Sequence, residues 1–248
     1  MDLRPLWIAG RFLSRFPFPD PGVAAPPETG RSVLWYPLVG ALMGVAILIA
    51  ASLLGGIDPP LAAALVLILW IWTSGAMHLD GIADSADAWV GGLGSRARTL
   101  DIMKDPRCGP MGVTAIALVL IAKWAGLQTL LAHGSPALLL WLPTLGRTQL
   151  LLLMLTTPYA RTQGMAADQF NHLPRRGAWL TALAVWLGCL LTAGWSGLAL
   201  VGAALCVLLI ARRAMLGRLA GFTGDTAGAL IELTETSLLL LCATLATD

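Results

Sequence analysis

The amino-acid sequence predicts an all-α fold, a polytopic membrane helix bundle of about seven transmembrane spans preceded by an interfacial amphipathic helix. Composition is the first indication, because 57% of the residues are hydrophobic, only 12% are charged and the mean hydropathy is +0.76. Soluble domains have about twice that charged fraction. The second indication is a series of apolar runs that approach the ~20 residues needed to cross a ~30 Å hydrocarbon core. We therefore expect one integral-membrane domain over residues 1–248.

The segment 1–30 is predicted to form an interfacial helix followed by a proline-rich linker. Residues 3–16 are too few, and too often interrupted by arginine, to span a bilayer. Arg4, Arg11 and Arg15 fall on one helical face, which suits a helix lying at the membrane surface with its basic groups toward anionic headgroups. No uninterrupted apolar core precedes a small-residue cleavage site, so we expect no cleavable signal peptide.

Seven apolar segments follow this N-terminal region. Their approximate bounds are 33–54, 59–78, 110–132, 136–156, 178–194, 197–213 and 227–246. The fifth and sixth segments are short and are separated only by residues around Gly194, so a tight hairpin is an alternative to two full spans. The seventh carries Glu232 and Glu235, which makes its assignment from hydropathy alone ambiguous.

The basic residues predict how the spans are oriented. Fourteen of the sixteen lie in the N-terminal region and in the loops that follow the second, fourth and sixth spans, whereas the opposite connections contain none. The rule that cytoplasmic loops are enriched in lysine and arginine assigns these polar loops to the cytoplasm. We expect a multi-pass protein of the cell inner membrane, in contact with the lipid bilayer and with its polar loops in the cytoplasm.

Three aspartates follow the second predicted span, at positions that place them on one face of a helix. Asp80, Asp84 and Asp87 are spaced i, i+4 and i+7, so they fall within about 60° of one another. Carboxylates this close repel, and they stay ionised at neutral pH only with a cation among them. A hard divalent metal is the simplest candidate. The alternative is a solvated helix end at which Asp80 is an ordinary N-cap.

A second acidic pair occurs downstream, next to two basic residues. Asp101 and Asp105 are again spaced i and i+4, with Lys104 and Arg107 beside them. Carboxylates that hold a metal, together with cations that stabilise phosphate charge, are what a pyrophosphate site requires. The alternative is that these side chains form ion pairs on a wet surface, with Arg98 as a further partner.

The last predicted span contains further ionisable residues. Asp225 and Glu232 are seven positions apart and share a helical face. An ionisable group within a span is expensive and normally faces the bundle interior or a polar cavity. Lys123 and Arg147 are the natural cationic partners for buried carboxylates, and the Arg147 guanidinium could instead hold a phosphate. The rival interpretation is a proton or ion path through the membrane, as in a transporter.

The chain resembles the cobalamin-5'-phosphate synthases, also called adenosylcobinamide-GDP ribazoletransferases. The resemblance is carried by HLDGIADSAD at 78–87 and IMKDPRCGPMG at 102–112, and it extends to RFPFP at 15–19 and FTGDTAGALIE at 222–232. It implies a magnesium-dependent inner-membrane transferase late in vitamin B12 assembly. Such an enzyme joins adenosylcobinamide-GDP to α-ribazole or its 5'-phosphate and releases GMP. No nucleic-acid partner is expected, and a homo-oligomer is compatible with the sequence.

The resemblance and the residue patterns together give a set of expected roles. Asp225 or Glu232 is the candidate base, and Asp87 is a further catalytic candidate. The residues expected to contact the substrate are Lys104, Arg107, Arg147, Arg98 and Arg161. The residues expected to bind Mg²⁺ are Asp80, Asp84, Asp87, Asp101 and Asp105.

A second family has a similar spacing of acidic residues. In the CDP-alcohol phosphotransferases two acidic pairs surround the metals, and Asp84-x-x-Asp87 with Asp101-x-x-x-Asp105 is similar to those pairs. The sequence departs from that family at Ala88, where a glycine would follow the second acid. A lipid enzyme of that kind, and a membrane transporter, are therefore the two alternatives to a cobalamin-5'-phosphate synthase.

Overall fold

The computed structural model of the protein describes residues 2–161 and 165–247. Within these ranges the chain forms eleven α-helices and two 3₁₀-helices, and no named β-strand. The α-helices are α1 Arg4–Leu13, α2 Pro26–Ser32, α3 Tyr36–Leu53, α4 Pro59–Ser74, α5 Met77–Gly91, α6 Arg96–Ile102, α7 Pro110–His133, α8 Trp141–Thr156, α9 Met165–Asn171, α10 Arg175–Leu219 and α11 Gly224–Leu245. The 3₁₀-helices, Val33–Trp35 and Pro136–Leu140, directly precede α3 and α8. The predicted all-α fold is confirmed.

Five helical segments in the described ranges are long and apolar enough to cross a membrane, or six if the bent pair α4–α5 counts as one span. Each predicted apolar segment corresponds to helix in the structure. The second predicted span, 59–78, ends earlier than expected, because Gly75 and Ala76 adopt left-handed conformations that stop α4 at Ser74. The chain then turns by 87° into α5, so the three aspartates lie on a separate helix.

Helix α10 consists of two arms that fold back on each other. Gly194 has φ 55° and ψ −127°, a conformation open only to glycine. A Cβ atom added at Gly197 would lie 2.5 Å from the Cys189 carbonyl oxygen, so the arms are in close contact near the turn. Arg175 and Arg212, at the far ends of the two arms, both donate to carbonyl oxygens at the C-terminal end of α8. The fifth and sixth predicted segments therefore correspond to two antiparallel helical arms joined at Gly194.

Helix α1 is present where an amphipathic helix was predicted. Its apolar face, which includes Ala9 and Leu13, belongs to the main buried core and packs on α2 and α3. Arg11 is exposed on the helix, and Arg15 is exposed two residues beyond its end. Arg4 forms an ion pair with Glu28 at 3.3 Å, which ties the start of the helix to α2. Protein therefore covers the apolar side of α1.

Small residues set the distances between the helices around the aspartates. A Cβ atom added at Gly81 of α5 would lie 2.5 Å from the backbone oxygen of Asp225 in α11, and one at Gly228 would lie 3.4 Å from the Cα atom of His78. Inside a bilayer helices associate largely through close packing, and small residues at the crossing allow that approach. The crossing of α5 and α11 brings two distant parts of the sequence into one site.

Candidate functional site

Helix α5 carries the three aspartates along one side, as their spacing predicted. The helix begins at Met77 with Ala76 as its N-cap residue, and Asp80 lies in the first turn. The alternative that Asp80 is an N-cap is therefore wrong. Asp80 is exposed, whereas Asp84 and Asp87 are partly buried. The acidic side of α5 is thus exposed at Asp80 and partly covered at Asp84 and Asp87.

The α5–α11 crossing adds a fourth carboxylate to this group. Asp84 lies within electrostatic range of Asp80, Asp87 and Asp225, and the nearby cation is Arg161. The Arg161 Nη2 atom donates to Asp225 Oδ2 at 2.8 Å, and the hydroxyl of Thr223 donates to the same oxygen at 3.4 Å. We define the acidic site as Asp80, Asp84, Asp87 and Asp225 with Arg161. Four carboxylates and one arginine leave the site with a negative charge that favours a cation.

Asp87 has a structural contact that the sequence did not reveal. Its two carboxylate oxygens accept hydrogen bonds from the backbone N–H groups of Gly109, at 2.6 Å, and Gly112, at 2.9 Å. These groups belong to the start of α7, where the helix dipole favours a negative charge. A Cβ atom at either glycine would come within 2.5 Å of the carboxylate. The absence of a side chain at Gly109 and Gly112 therefore allows the start of α7 to lie against Asp87.

The second acidic pair lies at the end of α6 and in the loop that follows it, and its members pair with neighbouring cations. Asp101 lies 3.8 Å from Lys104, and both side chains are largely exposed. Asp105 accepts hydrogen bonds from the Arg107 guanidinium at 2.7 and 2.9 Å. These hydrogen bonds lower the pKa of Asp105 to about 2, so its carboxylate is ionised at neutral pH. Asp101, Lys104, Asp105 and Arg107 are therefore held as two local ion pairs.

The structure does not gather all the predicted metal ligands in one place. Among residues 2–161 and 165–247, no three acidic, histidine or cysteine side chains lie close enough together to hold a metal ion. Magnesium still fits the donor chemistry, because it prefers oxygen ligands and is usually bound through one or two carboxylates, several waters and the phosphates of a substrate. The acidic site supplies carboxylates of that kind.

A buried charge network lies deeper in the bundle. Lys123 of α7 donates to Glu232 at 2.7 Å and to Glu235 at 2.8 Å, and its ammonium group lies 4.6 Å from the centre of the Trp70 ring. Arg147 of α8 pairs with Glu235 on its other side. Lys123 and Arg147 are thus the partners of the buried carboxylates, as predicted.

This network also bears on two of the predicted roles. Arg147 is fully buried and lies 3.4 Å from His78 Nδ1 at the start of α5. The network therefore reaches the α5 end that carries Asp80. Glu232 is held by Lys123, while Asp225 lies in the acidic site. The two candidate bases therefore have different surroundings.

Arg98, a predicted substrate contact, is exposed on α6. Its backbone N–H donates to the hydroxyl of Ser95, which caps the start of that helix.

A cavity of about 260 Å³ adjoins the acidic site between α1, α3, α5, α8, α9 and α11. Asp80 and Asp225 lie in its wall, together with His78. Two further polar residues, Tyr36 and Gln169, also line it, and sequence reasoning missed both. An isolated tyrosine and an isolated glutamine carry no motif or spacing that could have identified them.

Comparisons with known proteins agree with this arrangement. The family model described as cobalamin-5-phosphate synthase matches residues 5–243. The chain is 51% identical over 236 residues to a Pseudomonas putida (strain F1) protein named adenosylcobinamide-GDP ribazoletransferase, covering 95% of this chain and 97% of that protein. It is 49% identical over 242 residues to a protein of the same name from Pseudomonas syringae pv. syringae (strain B728a), covering 97% and 99%. No solved structure matches the chain.

The matches extend over nearly all of the helical bundle and include the acidic site, the α6 loop and the buried network. About half of the residues are identical in these relatives, and the alignments cover almost the whole chain, so every large part of the fold has a counterpart in them. The chain belongs to the cobalamin-5-phosphate synthase family.

Proposed function

We propose that this protein transfers the adenosylcobinamide-phosphate group of adenosylcobinamide-GDP to α-ribazole or α-ribazole 5'-phosphate and releases GMP. The observation that carries the proposal is that Asp84 lies within electrostatic range of the Asp225–Arg161 pair. This arrangement brings together carboxylates that would bind a metal, a candidate base and a cation that would bind phosphate. The names of the relatives describe this type of transfer.

The reaction needs a group that accepts the proton of the attacking alcohol. The ribose 3'-oxygen would form a bond to the phosphorus that carries the aminopropanol arm, while the bond from that phosphorus to the GMP oxygen breaks and GMP leaves with the electron pair. Asp225 is the better of the two candidate bases, because it lies in the acidic site and lines the adjoining cavity, whereas Glu232 is buried in the network with Lys123. Arg161, at 2.8 Å from Asp225, would stabilise negative charge on the phosphates.

Asp80 and Asp84 would hold Mg²⁺, with Asp87 fixed beside them by the start of α7. The metal, when bound, neutralises pyrophosphate oxygens and so favours departure of GMP. Asp105 and Lys104 would have to exchange their local ion pairs for contacts with a bound substrate or metal.

The direct test is a measurement of GMP release by the purified, full-length protein supplied with adenosylcobinamide-GDP and α-ribazole. Release that requires both substrates supports the proposal. Release of CMP from a CDP-alcohol with a lipid acceptor would instead identify a lipid phosphotransferase. Uptake of a corrinoid into sealed vesicles without GMP release would identify a transporter.

Chelation of divalent metal is expected to abolish turnover. With EDTA in excess, GMP release should fall by at least about a hundredfold, because the negative charge of the site and of the pyrophosphate would then be uncompensated. Added Mg²⁺ should restore the rate, and added Na⁺ at matched ionic strength should not. Undiminished release in EDTA would show that the acidic site acts without a metal.

We also propose that the acidic site faces the cytoplasm at the cell inner membrane, following the distribution of basic residues. Cys108 is exposed in the loop beside Asp105, so it reports which side that loop occupies. In a Cys206→Ser background, a membrane-impermeant maleimide should label Cys108 in inverted vesicles and not in spheroplasts. Ser135→Cys in a Cys108→Ser/Cys206→Ser background, with its new thiol in an exposed connection on the opposite side, should label in the reverse pattern. Labelling of Cys108 in spheroplasts would show that its loop lies outside the cytoplasm, and the proposed orientation would then be wrong.

A further inference from the structure

A second cavity, of about 690 Å³, lies next to the cavity that adjoins the acidic site. It is enclosed by α1 and the connection after it, by α2 and α9, and by the end of α4 with the start of α5. Phe12 and Met77 line both cavities, so the two are neighbours. The volume falls within the ~300–1,000 Å³ of pockets for drug-sized ligands. We call it the arginine cavity, because Arg11 and Arg15 are in its wall.

Arg15 is held at the turn that leads into the acidic helix. Its backbone N–H donates to the carbonyl oxygen of Thr73 at 2.8 Å, near the end of α4. A Cβ atom added at Gly75 would collide with the Arg15 side chain, so the glycine at this turn leaves room for the guanidinium group. Helix α5 follows directly, with Asp80 in its first turn. The motif RFPFP at 15–19 thus brings a cation close to the start of α5.

Arg11 adds a second cation to the same wall. Both arginines are exposed, and within residues 2–161 and 165–247 neither side chain forms an ion pair. Guanidinium groups without carboxylate partners attract anions, and they bind phosphate through paired N–H groups. The cavity is therefore suited to a phosphate ester. A lipid headgroup is one source of such a phosphate, and a nucleotide substrate is another.

Two carboxylates in the wall favour the nucleotide. Asp20 and Asp168 both line the arginine cavity, and both are exposed. An ionised carboxylate accepts hydrogen bonds and repels phosphate, so these residues do not suit a bare phosphate. They suit a ligand that carries hydrogen-bond donors together with its phosphate. Guanine presents two such donors side by side, the N1–H group and the 2-amino group, whereas adenine has an acceptor at N1.

We propose that the arginine cavity binds the guanosine-phosphate half of adenosylcobinamide-GDP, with its two arginines on the phosphate and its two carboxylates on the guanine. The inference rests on the proposed function, in which GMP is the leaving group. In phosphoryl transfer the attacking and leaving oxygens lie on opposite sides of the phosphorus. Asp225, the proposed base, belongs to the described wall of the smaller cavity and not to that of the larger. The ribose would therefore attack from the smaller cavity, and GMP would leave toward the larger.

The test measures the binding of GMP and of guanosine to the purified, full-length protein in detergent, at one fixed Mg²⁺ concentration. The wild type should bind GMP about a hundredfold more tightly, since each of two charge-assisted hydrogen bonds contributes roughly tenfold. In Arg11→Gln/Arg15→Gln this preference should fall by at least about tenfold, and each single variant should lie between. Arg31→Gln is the matched control, because Arg31 is exposed on α2 and lies outside the described wall. It should keep the wild-type preference.

A second variant tests the recognition of the base. The wild type should prefer GMP to AMP by about tenfold or more, because a carboxylate matches the donors of guanine and faces an acceptor in adenine. In Asp20→Asn/Asp168→Asn that preference should fall toward one, while the preference for GMP over guanosine remains. A ratio of dissociation constants does not depend on how much of a variant is folded, so partial misfolding does not produce these results.

Two further measurements distinguish the other sources of phosphate. The preference for α-ribazole 5'-phosphate over α-ribazole should be the same in the wild type and in the arginine double variant. Added phosphatidylglycerol should leave GMP binding unchanged. If the double variant lost the first preference, the cavity would hold the acceptor phosphate, and if the lipid displaced GMP, it would hold a headgroup. Either result, or an unchanged preference for GMP over guanosine in the double variant, would overturn the proposal.

These outcomes are separable from failure of the proposed function. If the wild type releases GMP from adenosylcobinamide-GDP but the arginine double variant keeps its preference for GMP over guanosine, the nucleotide binds elsewhere and the function stands. If that preference falls as expected but the wild type releases no GMP, the proposed reaction is wrong and the cavity remains a site for a guanine nucleotide.

Discussion

Replacing Asp84 by asparagine is expected to lower the rate of GMP release by at least about a hundredfold, the usual cost of removing one charge-stabilising group from an active site. Asp84 is the central acid of the site. It lies within electrostatic range of Asp80 and Asp87 on its own helix and of Asp225 on α11. Asparagine keeps the size and one oxygen but loses the negative charge. The protein should therefore remain folded while its affinity for metal and pyrophosphate falls.

Asp58→Asn is the matched control for this change. Asp58 precedes α4 in the connection after α3, and it lines a separate cavity with residues from the end of α7. The same chemical substitution there should leave GMP release within about twofold of wild type, as expected for a surface change away from special features. Full turnover by Asp84→Asn would show that the α5 acids have only a structural role, and the site assignment would be wrong.

Replacing Lys123 by methionine is expected to destabilise the folded protein by about 3–5 kcal/mol, the cost of leaving a buried charge without its partner. Lys123 is 2% exposed and holds both Glu232 and Glu235. After the change Arg147 still pairs with Glu235, but Glu232 loses the partner that holds it. Thermal unfolding in detergent, together with the fraction of protein that elutes as a monodisperse species, measures this loss.

Two further variants separate charge from packing. Lys104→Met makes the same substitution at an exposed lysine and should leave the unfolding temperature nearly unchanged. Adding Glu232→Gln to Lys123→Met removes the stranded negative charge and should recover part of the lost stability. If Lys123→Met unfolded at the wild-type temperature, the network would contribute little to folding.

The sequence allowed prediction of the features that depend on local pattern. Hydropathy identified the apolar segments, and the i, i+4, i+7 spacing placed Asp80, Asp84 and Asp87 along one side of α5. Both patterns follow from the rise and period of an α-helix, so each can be recognised in a short stretch of sequence without knowledge of the rest of the chain. The motifs at 78–87 and 102–112 identified the family, which the comparison with known proteins confirms.

Helix ends were harder to predict, because they depend on single backbone conformations. Gly75 and Ala76 stop α4 before His78, so the metal-binding candidates lie on a helix that turns away by 87°. Nothing in the hydropathy profile marks that turn. At Gly194 the sequence predicted a break between two apolar segments, and the close approach of Gly197 to Cys189 shows that the two arms run antiparallel.

What the sequence by itself determined is the all-α membrane fold, the family, and the residue types that a metal-dependent phosphotransfer needs. Only the tertiary structure decided which of those residues meet. In the folded protein Asp84 lies within electrostatic range of Asp225 and Arg161, and Asp87 caps the start of α7. The buried cations Lys123 and Arg147 pair with Glu232 and Glu235. The reason is physical: helix periodicity is a local property, whereas contacts between distant segments depend on how closely glycines such as Gly81 allow two helices to approach.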